Sequence, residues 1–338
     1  GQFNPRRPPQ PDVAGFDHWF GTQNNASPSH ENPKNFVRNG QPVGPLKGYS
    51  CQIVMDEALG WLKRQQTKDG QQPFFMYIAF HEPHEPVASP KELVNQYDGL
   101  AKNHNQAQYF ANVTNIDSSV GKLMKALRAM KLDENTLVVF TSDNGPETLL
   151  RYGPRSGRSY GSPEPLRGMK LWTTEAGFRV AGIMHWPARI KSGQVSGETV
   201  SALDFLPTFC EMARTKIPQG LKLDGTSFLP SLKGEPIKRK KPLLWVYYNA
   251  LNERRVAMRY GKWKVLAKIN LSKIKSINQK NESQAKAATL YDFQIFNLSQ
   301  DMEETNNLSK IPPSIFKELQ KTMGIHYREL VNDSYVWK

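Results

Sequence analysis

Thr136-Leu137-Val138-Val139-Phe140-Thr141-Ser142-Asp143-Asn144-Gly145-Pro146 is the stretch on which the fold turns. Its apolar, β-rich core, Leu137–Phe140, has the length of a strand covered on both faces, as parallel-sheet strands are. It stops abruptly at an acid, an amide and a glycine. In open α/β sheets ligands gather beyond the carboxyl ends of strands, so the adjacent oxygens of Asp143 and Asn144 suit a hard cation. Asp-Asn-Gly is equally good turn chemistry, because Asn and Gly tolerate positive φ, and on these residues alone both readings stand.

The flanking chain supplies the rest of a layered fold. Ile53, Val54, Ala58, Leu59 and Leu62 recur at helical spacing over Tyr49–Gln66. A second strand, Phe74–Phe80, ends in His81-Glu82-Pro83-His84-Glu85-Pro86. A long helix follows over about Gln106–Met130, with Val113, Ile116, Val120, Leu123, Met124 and Leu127 on one face, and leads into the Thr136 strand. Strand, helix and strand of these lengths form the right-handed unit of a parallel sheet. Parallel strands end on one edge, so the His81–His84 cluster and Asp143-Asn144 are expected to open onto a single crevice.

Residues 145–165, rich in Gly, Pro, Ser and Arg, read as a loop over that edge. A strand at about Val180–Trp186 and a helix at about Val200–Ala213 continue the alternation. The texture then changes: Leu243–Tyr248, Arg255–Tyr260, Trp263–Ala267 and Leu290–Asn297 are strand-like runs, the middle pair joined at Tyr260-Gly261-Lys262 as a hairpin, with a terminal helix starting near Ile315. The expected organisation is α/β: a mostly parallel sheet sandwiched by helices over residues 1–250, and a small antiparallel sheet with one helix over residues 251–338.

The totals narrow the function. With 338 residues, 38% of them hydrophobic, the chain can bury a large core. No run of eighteen apolar residues is present, so no transmembrane helix is expected. The net charge is 45 − 31 = +14, which favours polyanions. It concentrates at Lys238-Arg239-Lys240-Lys241 and Lys262–Lys286, without the aromatic interleaving or motif of a nucleic-acid module, so nucleic acid is not an expected partner. The two cysteines, Cys51 and Cys210, are too few for a disulfide scaffold or a zinc site.

In their order along the chain these residues resemble the type I sulfatases of the alkaline phosphatase superfamily. Phe74–Pro86 is similar to the family's strand ending in a catalytic histidine before x-Pro, which puts that role on His84. Thr141–Gly145 resembles its metal-binding Asp-Asn-Gly, with Asp143 and Asn144 as ligands. Leu166-Arg167-Gly168-Met169-Lys170 through Glu175-Ala176-Gly177-Phe178-Arg179-Val180 resembles the segment whose lysine contacts sulfate, here Lys170. Asp204-Phe205-Leu206-Pro207-Thr208, Leu223-Asp224-Gly225 and Arg259–Lys264 with Leu290-Tyr291-Asp292 are similar to structural markers further along. Ala181 departs from the family's usual Pro after Arg-Val. The opening stretch with Gly15–Gly21 most resembles the branch containing arylsulfatase A and N-acetylgalactosamine-6-sulfatase.

The resemblance implies an alkaline-phosphatase-like fold, incomplete at its N-terminus, and a sulfuric ester hydrolase using Ca²⁺ (Mg²⁺ as the alternative) and a formylglycine nucleophile. The family's paired aspartates and its Cys-x-Pro-x-Arg are absent. Cys51 is followed by Gln-Ile-Val-Met, and Cys210 by Glu-Met-Ala-Arg, so neither replaces that cysteine, and both read as structural. The nucleophile and remaining ligands are therefore expected upstream of Gly1, with this chain alone inactive. The implied substrate is a sulfated small molecule or glycan, and the implied compartment is secreted, periplasmic or lysosomal. Asn112-Val-Thr and Asn307-Leu-Ser fit glycosylation sequons. The alternatives are a phosphoester hydrolase of the same superfamily, and a non-catalytic protein holding sulfated glycans through Lys238–Lys241 and the basic C-terminal part.

Overall fold

Val54, Leu59 and Leu62 bury the stripe expected of the first helix, whereas in the long helix near Gln106–Met130 small residues and asparagines, more than the expected aliphatic stripe, decide the packing. The computed structural model describes residues 10–68, 72–148, 157–308 and 312–337. The chain forms two compact units, Gly1–Glu134 with Glu147–Gly161, and Asn135–Pro146 with Ser162–Lys338. In the first, the short antiparallel strands β1 (Phe20–Gly21), β2 (Val37–Arg38) and β3 (Gln41–Pro42) precede α1 (Ser50–Lys68), α2 (Lys91–Val94) and α3 (His104–Ala129). Asn103 caps α3 by accepting from Gln106 N at 3.0 Å. Its buried positions are Ala107, Ala111, Asn112, Asn115, Ser119 and Leu127, whereas Val113 is 46% exposed. The amides replace aliphatic packing with specific bonds: Asn112 Nδ2 donates to Ala88 O (3.0 Å) and Ser89 Oγ (3.1 Å), and Gln52 Nε2 donates to Asn115 Oδ1 (2.8 Å). Asn112 has no exposed surface, so its sequon cannot carry a glycan in the folded chain.

The expected strand Phe74–Phe80 is extended and alternates as a strand should, Phe75 and Tyr77 lying outward and Ile78 and Phe80 packing with Ala26, Phe36 and Val54. It enters no ladder. Among the described residues every ladder between named strands is antiparallel, so the mostly parallel sheet expected from the sequence is not formed by them. In the second unit β4 (Val138–Thr141) pairs with β5 (Gly182–His185), Thr141 facing Gly182 and Val138 facing His185. The reason is local: the excursion between these strands is closed at its base by Gly145 N donating to Gly177 O at 3.0 Å, which sends the chain back beside the strand it left.

After α4 (Glu175–Phe178) and α5 (Phe205–Met212), the strands β6 (Leu243–Val246), β7 (Val256–Tyr260), β8 (Trp263–Ile269) and β9 (Leu290–Asn297) form one antiparallel sheet in that order, with α6 (Glu282–Ala287) and α7 (Pro313–Asp333). Period-two alternation gives it two apolar faces. Val256, Met258, Val265, Ala267, Ile269 and Ile295 meet Leu319, Met323, Tyr327 and Val331, one stripe of α7. Ala257, Leu266 and Phe296 meet Phe178 and Trp245 on the other face. Each such fully buried aliphatic side chain contributes about 2 kcal/mol. Gly261, at φ +54°, turns the β7–β8 hairpin as its sequence implies. Among the described residues no helix is long and apolar enough to cross a membrane.

Candidate functional site

The Asp-Asn-Gly segment forms a hydrogen-bonded turn beyond the strand. Beyond β4, Asp143 Oδ1 accepts from Asn144 N at 2.9 Å, and Ser142 Oγ donates to Asn144 O at 3.2 Å. Asn144 Nδ2 donates to Gly145 O at 3.0 Å, committing the amide nitrogen to the backbone and turning the side-chain oxygen away from it. Asp143 is exposed and Asn144 half-buried. A carboxylate beside an amide oxygen is the donor chemistry of a hard cation such as Ca²⁺. The type fits. The number falls short of a full shell: among the described residues no three His, Cys, Asp or Glu cluster as metal ligands.

The backbone brings Lys170 beside the same turn. Its N–H donates to Pro146 O at 2.9 Å, next to the Gly145–Gly177 bond. The approach is so close that a Cβ on Gly145 would lie 1.7 Å from Ala176 O, and one on Gly177 would lie 2.0 Å from Trp172 O. Only glycine permits this clasp, so two residues with no reactive group bring Asp143, Asn144 and Lys170 into one loop pair. Lys170 is half-buried, and the next residue, Leu171, has φ +69°, a left-handed backbone at a branched residue.

His84 belongs to the first unit. It is exposed, while His81 is half-buried edge-on to Phe36, ring centres 5.5 Å apart, with Nε2 2.7 Å from Thr22 Oγ1. Burial pushes the His81 imidazole below its ordinary range. The two histidines thus divide: His81 is pinned, and His84 faces out. His84 Nδ1 lies 2.8 Å from Glu85 O and 3.0 Å from Asn25 Nδ2, and Nε2 takes part in neither contact. Glu82, which the sequence reading passed over, anchors this loop. Its Oε1 accepts from Ser50 Oγ and, at 2.8 Å, from Cys51 N, so its carboxylate caps α1 from a distance. Glu85 Oε1 accepts from Arg158 N at 2.7 Å.

Other oversights lie deeper. Lys264 has no exposed surface and bonds Glu175 Oε1 at 2.7 Å. The available signal was a lysine at an inward position of the apolar run Trp263–Ala267. The basic run is also less free than it reads: Arg239 binds Asp204 through both Nη atoms (2.8 and 2.7 Å), and Lys241 binds Asp224 at 2.8 Å.

Comparison with known proteins agrees in kind. The sulfatase family model matches residues 2–215, and that of the N-sulphoglucosamine sulphohydrolase C-terminal region matches residues 169–331. Sulfatase YdeN of Escherichia coli (strain K12) is 32% identical over 245 residues, covering 70% of this chain and 40% of that protein. N-acetylgalactosamine-6-sulfatase of Canis lupus familiaris is 33% identical over 235 residues, covering 65% and 42%. The chain therefore spans less than half the length of these curated relatives. Among solved structures, Ps i-CgsB superposes with a TM-score of 0.75 at 27% identity, covering 96% of this chain and 68% of that one, and has also been solved in complex with k-i-k-neocarrahexaose. BT4656, solved with D-glucosamine-2-N,6-O-disulfate, has a TM-score of 0.64 at 17% identity over 94% and 77% of the two chains, a likeness of fold alone.

Proposed function

The chain belongs to the sulfatase family, and from that premise we propose that the protein carrying it hydrolyses sulfate esters of carbohydrates. The observation that best supports this reading is the glycine clasp, which holds the Lys170 loop against the Asp143-Asn144 turn at 2.9–3.0 Å. In this reading the Lys170 ammonium, a compact cation, contacts a sulfate oxygen and steadies the charge that grows there as the ester bond breaks. His84 gives a proton to the departing sugar oxygen, and with Nδ1 against Glu85 O the donor is Nε2. Asp143 and Asn144 would hold a divalent cation, which supplies Lewis acidity at the sulfate. The nucleophile, a formylglycine by family resemblance, would come from outside these 338 residues. The alkaline-phosphatase-like parallel sheet would likewise need strands from outside this chain, and a secreted, periplasmic or lysosomal location goes with the same reading.

The test is sulfate release from a 6-sulfated amino sugar by the complete protein. Lys170→Ala is expected to lower kcat about 100-fold or more, as loss of an oxyanion-stabilising group does. Hydrolysis of the matching phosphate monoester in place of the sulfate would instead favour a phosphoester hydrolase.

A further inference from the structure

Lys264 is an ammonium without access to water in a sheet whose faces otherwise bury mostly apolar groups. The alternation of β8 puts it on the face shared with Leu266, and there its Nζ lies 2.7 Å from Glu175 Oε1, 3.4 Å from Glu304 Oε1 and 4.3 Å from the centre of the Phe178 ring. Phe178 in turn stacks on Trp245, 4.2 Å away and 4° from parallel. The side chains of Lys264 and Glu304 have no exposed surface, and that of Glu175 is 7% exposed. As a source of stability such a group is a poor choice, because desolvating the ions offsets most of their attraction, and well-packed apolar residues do as well or better. Its use has to be sought in what it holds.

It holds the loop that carries Lys170, at both ends. Glu175 N donates to Glu304 Oε2 at 2.8 Å, and Arg167 Nη1 donates to Glu304 O at 2.8 Å. Arg167 O in turn accepts from Ala176 N (3.1 Å) and Thr174 Oγ1 (2.6 Å), closing the loop into a ring. Inside it, the left-handed Leu171 is kept in place by Leu251 N on Leu171 O (3.0 Å) and by Thr173 N on Asn252 Oδ1 (3.0 Å). An unfavourable conformation that several bonds over-determine beside a reactive group marks a place where geometry matters more than stability.

We propose that Lys264, Glu175 and Glu304 are positioning residues: the buried ammonium fixes the Lys170 loop to the C-terminal sheet and, through the Gly145–Gly177 and Lys170–Pro146 hydrogen bonds, fixes Asp143 and Asn144 with it. The catalytic consequence rests on the sulfatase reading, and the mechanical one does not. Lys264→Met, which keeps most of the apolar stem and removes the charge, and Glu304→Ala test both. Lys268→Met, on the same strand but paired with Glu253 and Asp292 at the surface, is the control.

In the complete protein, amide exchange of peptides covering 143–147 and 167–178 is expected to quicken about tenfold in both variants, with exchange in β7 and β8 unchanged. kcat for sulfate release falls about tenfold at unchanged KM, the pattern of an interaction realised in the transition state. Glu304→Gln, which keeps an acceptor for Glu175 N, restores exchange and kcat to near the parent values. Should Lys264→Met not fold, Glu304→Ala, altered in the loop after β9, carries the same test. Unchanged exchange in the two peptides, an increase shared equally by the sheet, or loosened loops with unchanged kcat would each overturn the proposal. Absence of sulfate release by the unaltered protein would remove the sulfatase reading and leave the exchange result to judge the mechanical claim.

Discussion

Glu175 and Glu304 share one ammonium, and the sharing is unequal. Burial pushes both carboxyls up. At Glu175 the charge of Lys264 and its hydrogen bond outweigh burial and hold the group below its ordinary value, whereas at Glu304 burial prevails and the value stays raised. The folded chain therefore keeps Glu175 ionised to lower pH than the unfolded chain does. Its stabilisation is present above the unfolded value of about 4.3 and is lost as pH falls through the lowered one. Glu304 behaves oppositely: its contribution is complete at low pH and is lost as pH rises through the raised value. Urea unfolding at pH 7 is expected to show Glu175→Gln costing about 3 kcal/mol, because it strands the ammonium, and Glu304→Gln costing under about 1 kcal/mol while removing the loss of stability that accompanies ionisation of the carboxyl as pH rises through its raised value. Equal costs would contradict this division. Cys51 gives a second case. It has no exposed surface, and burial, reinforced by the charge of Glu82, pushes its thiol up. A thiol reagent should modify at most Cys210 in the native protein and both cysteines after denaturation, since the thiolate is the reactive form. Modification of Cys51 in the folded chain would rule this out. That Cys51 is structural was legible from its neighbours. That Lys264 is buried was not, because its partner Glu175 lies 89 residues away in sequence.

At the scale of elements, the two kinds of glycine separate what can be read locally from what cannot. Gly261 sits in the β7–β8 turn with positive φ and open space where a Cβ would go, while Gly145 has no such space. Gly261→Ala is expected to cost about 1 kcal/mol, a backbone penalty alone. Gly145→Ala should cost about 3 kcal/mol or more, because a carbonyl must move and the clasp must open. Thermal unfolding of the two variants measures the difference, and similar shifts would mean that the clasp carries little. The hairpin was visible in Tyr260-Gly261-Lys262 because a turn is specified by adjacent residues. So were β6, β7, β8 and β9, whose alternation turns one apolar face to α7 and the other to Phe178 and Trp245. The direction of β4 was not visible. An apolar run says that a strand is buried, and the choice between parallel and antiparallel neighbours rests with where the chain re-enters, which for β4 is decided at Gly177. The α3 stripe misled for a related reason: Asn112 and Asn115 are buried through bonds to Ala88, Ser89 and Gln52, which periodicity cannot register.

For the whole molecule, charge and ligand count bear on what these residues can do unaided. The +14 net charge looks like an invitation to polyanions, yet in the Lys238–Lys241 run Arg239 and Lys241 neutralise Asp204 and Asp224, so half of that run serves the fold. This weakens the glycan-holding alternative and leaves the reactive loops as the more specific feature. In the proposed reading those loops would offer a cation two oxygen-bearing side chains, Asp143 and Asn144, whereas calcium takes about six to eight oxygens. Water can fill the remainder, and a shell built largely of water binds weakly, because few of its ligands are pre-organised by the chain. Calorimetric titration of the 338-residue chain with Ca²⁺ is accordingly expected to give a dissociation constant of about 1 mM or weaker. Asp143→Asn should abolish what binding remains, since it removes the one formal charge of the pair. A longer chain that adds further ligands, as the proposed function requires, should bind far more tightly, and the same substitution there should weaken binding without unfolding the chain. Submicromolar affinity in the 338-residue chain would mean that its own residues complete the shell, and the assignment of the outstanding ligands to another segment would fall.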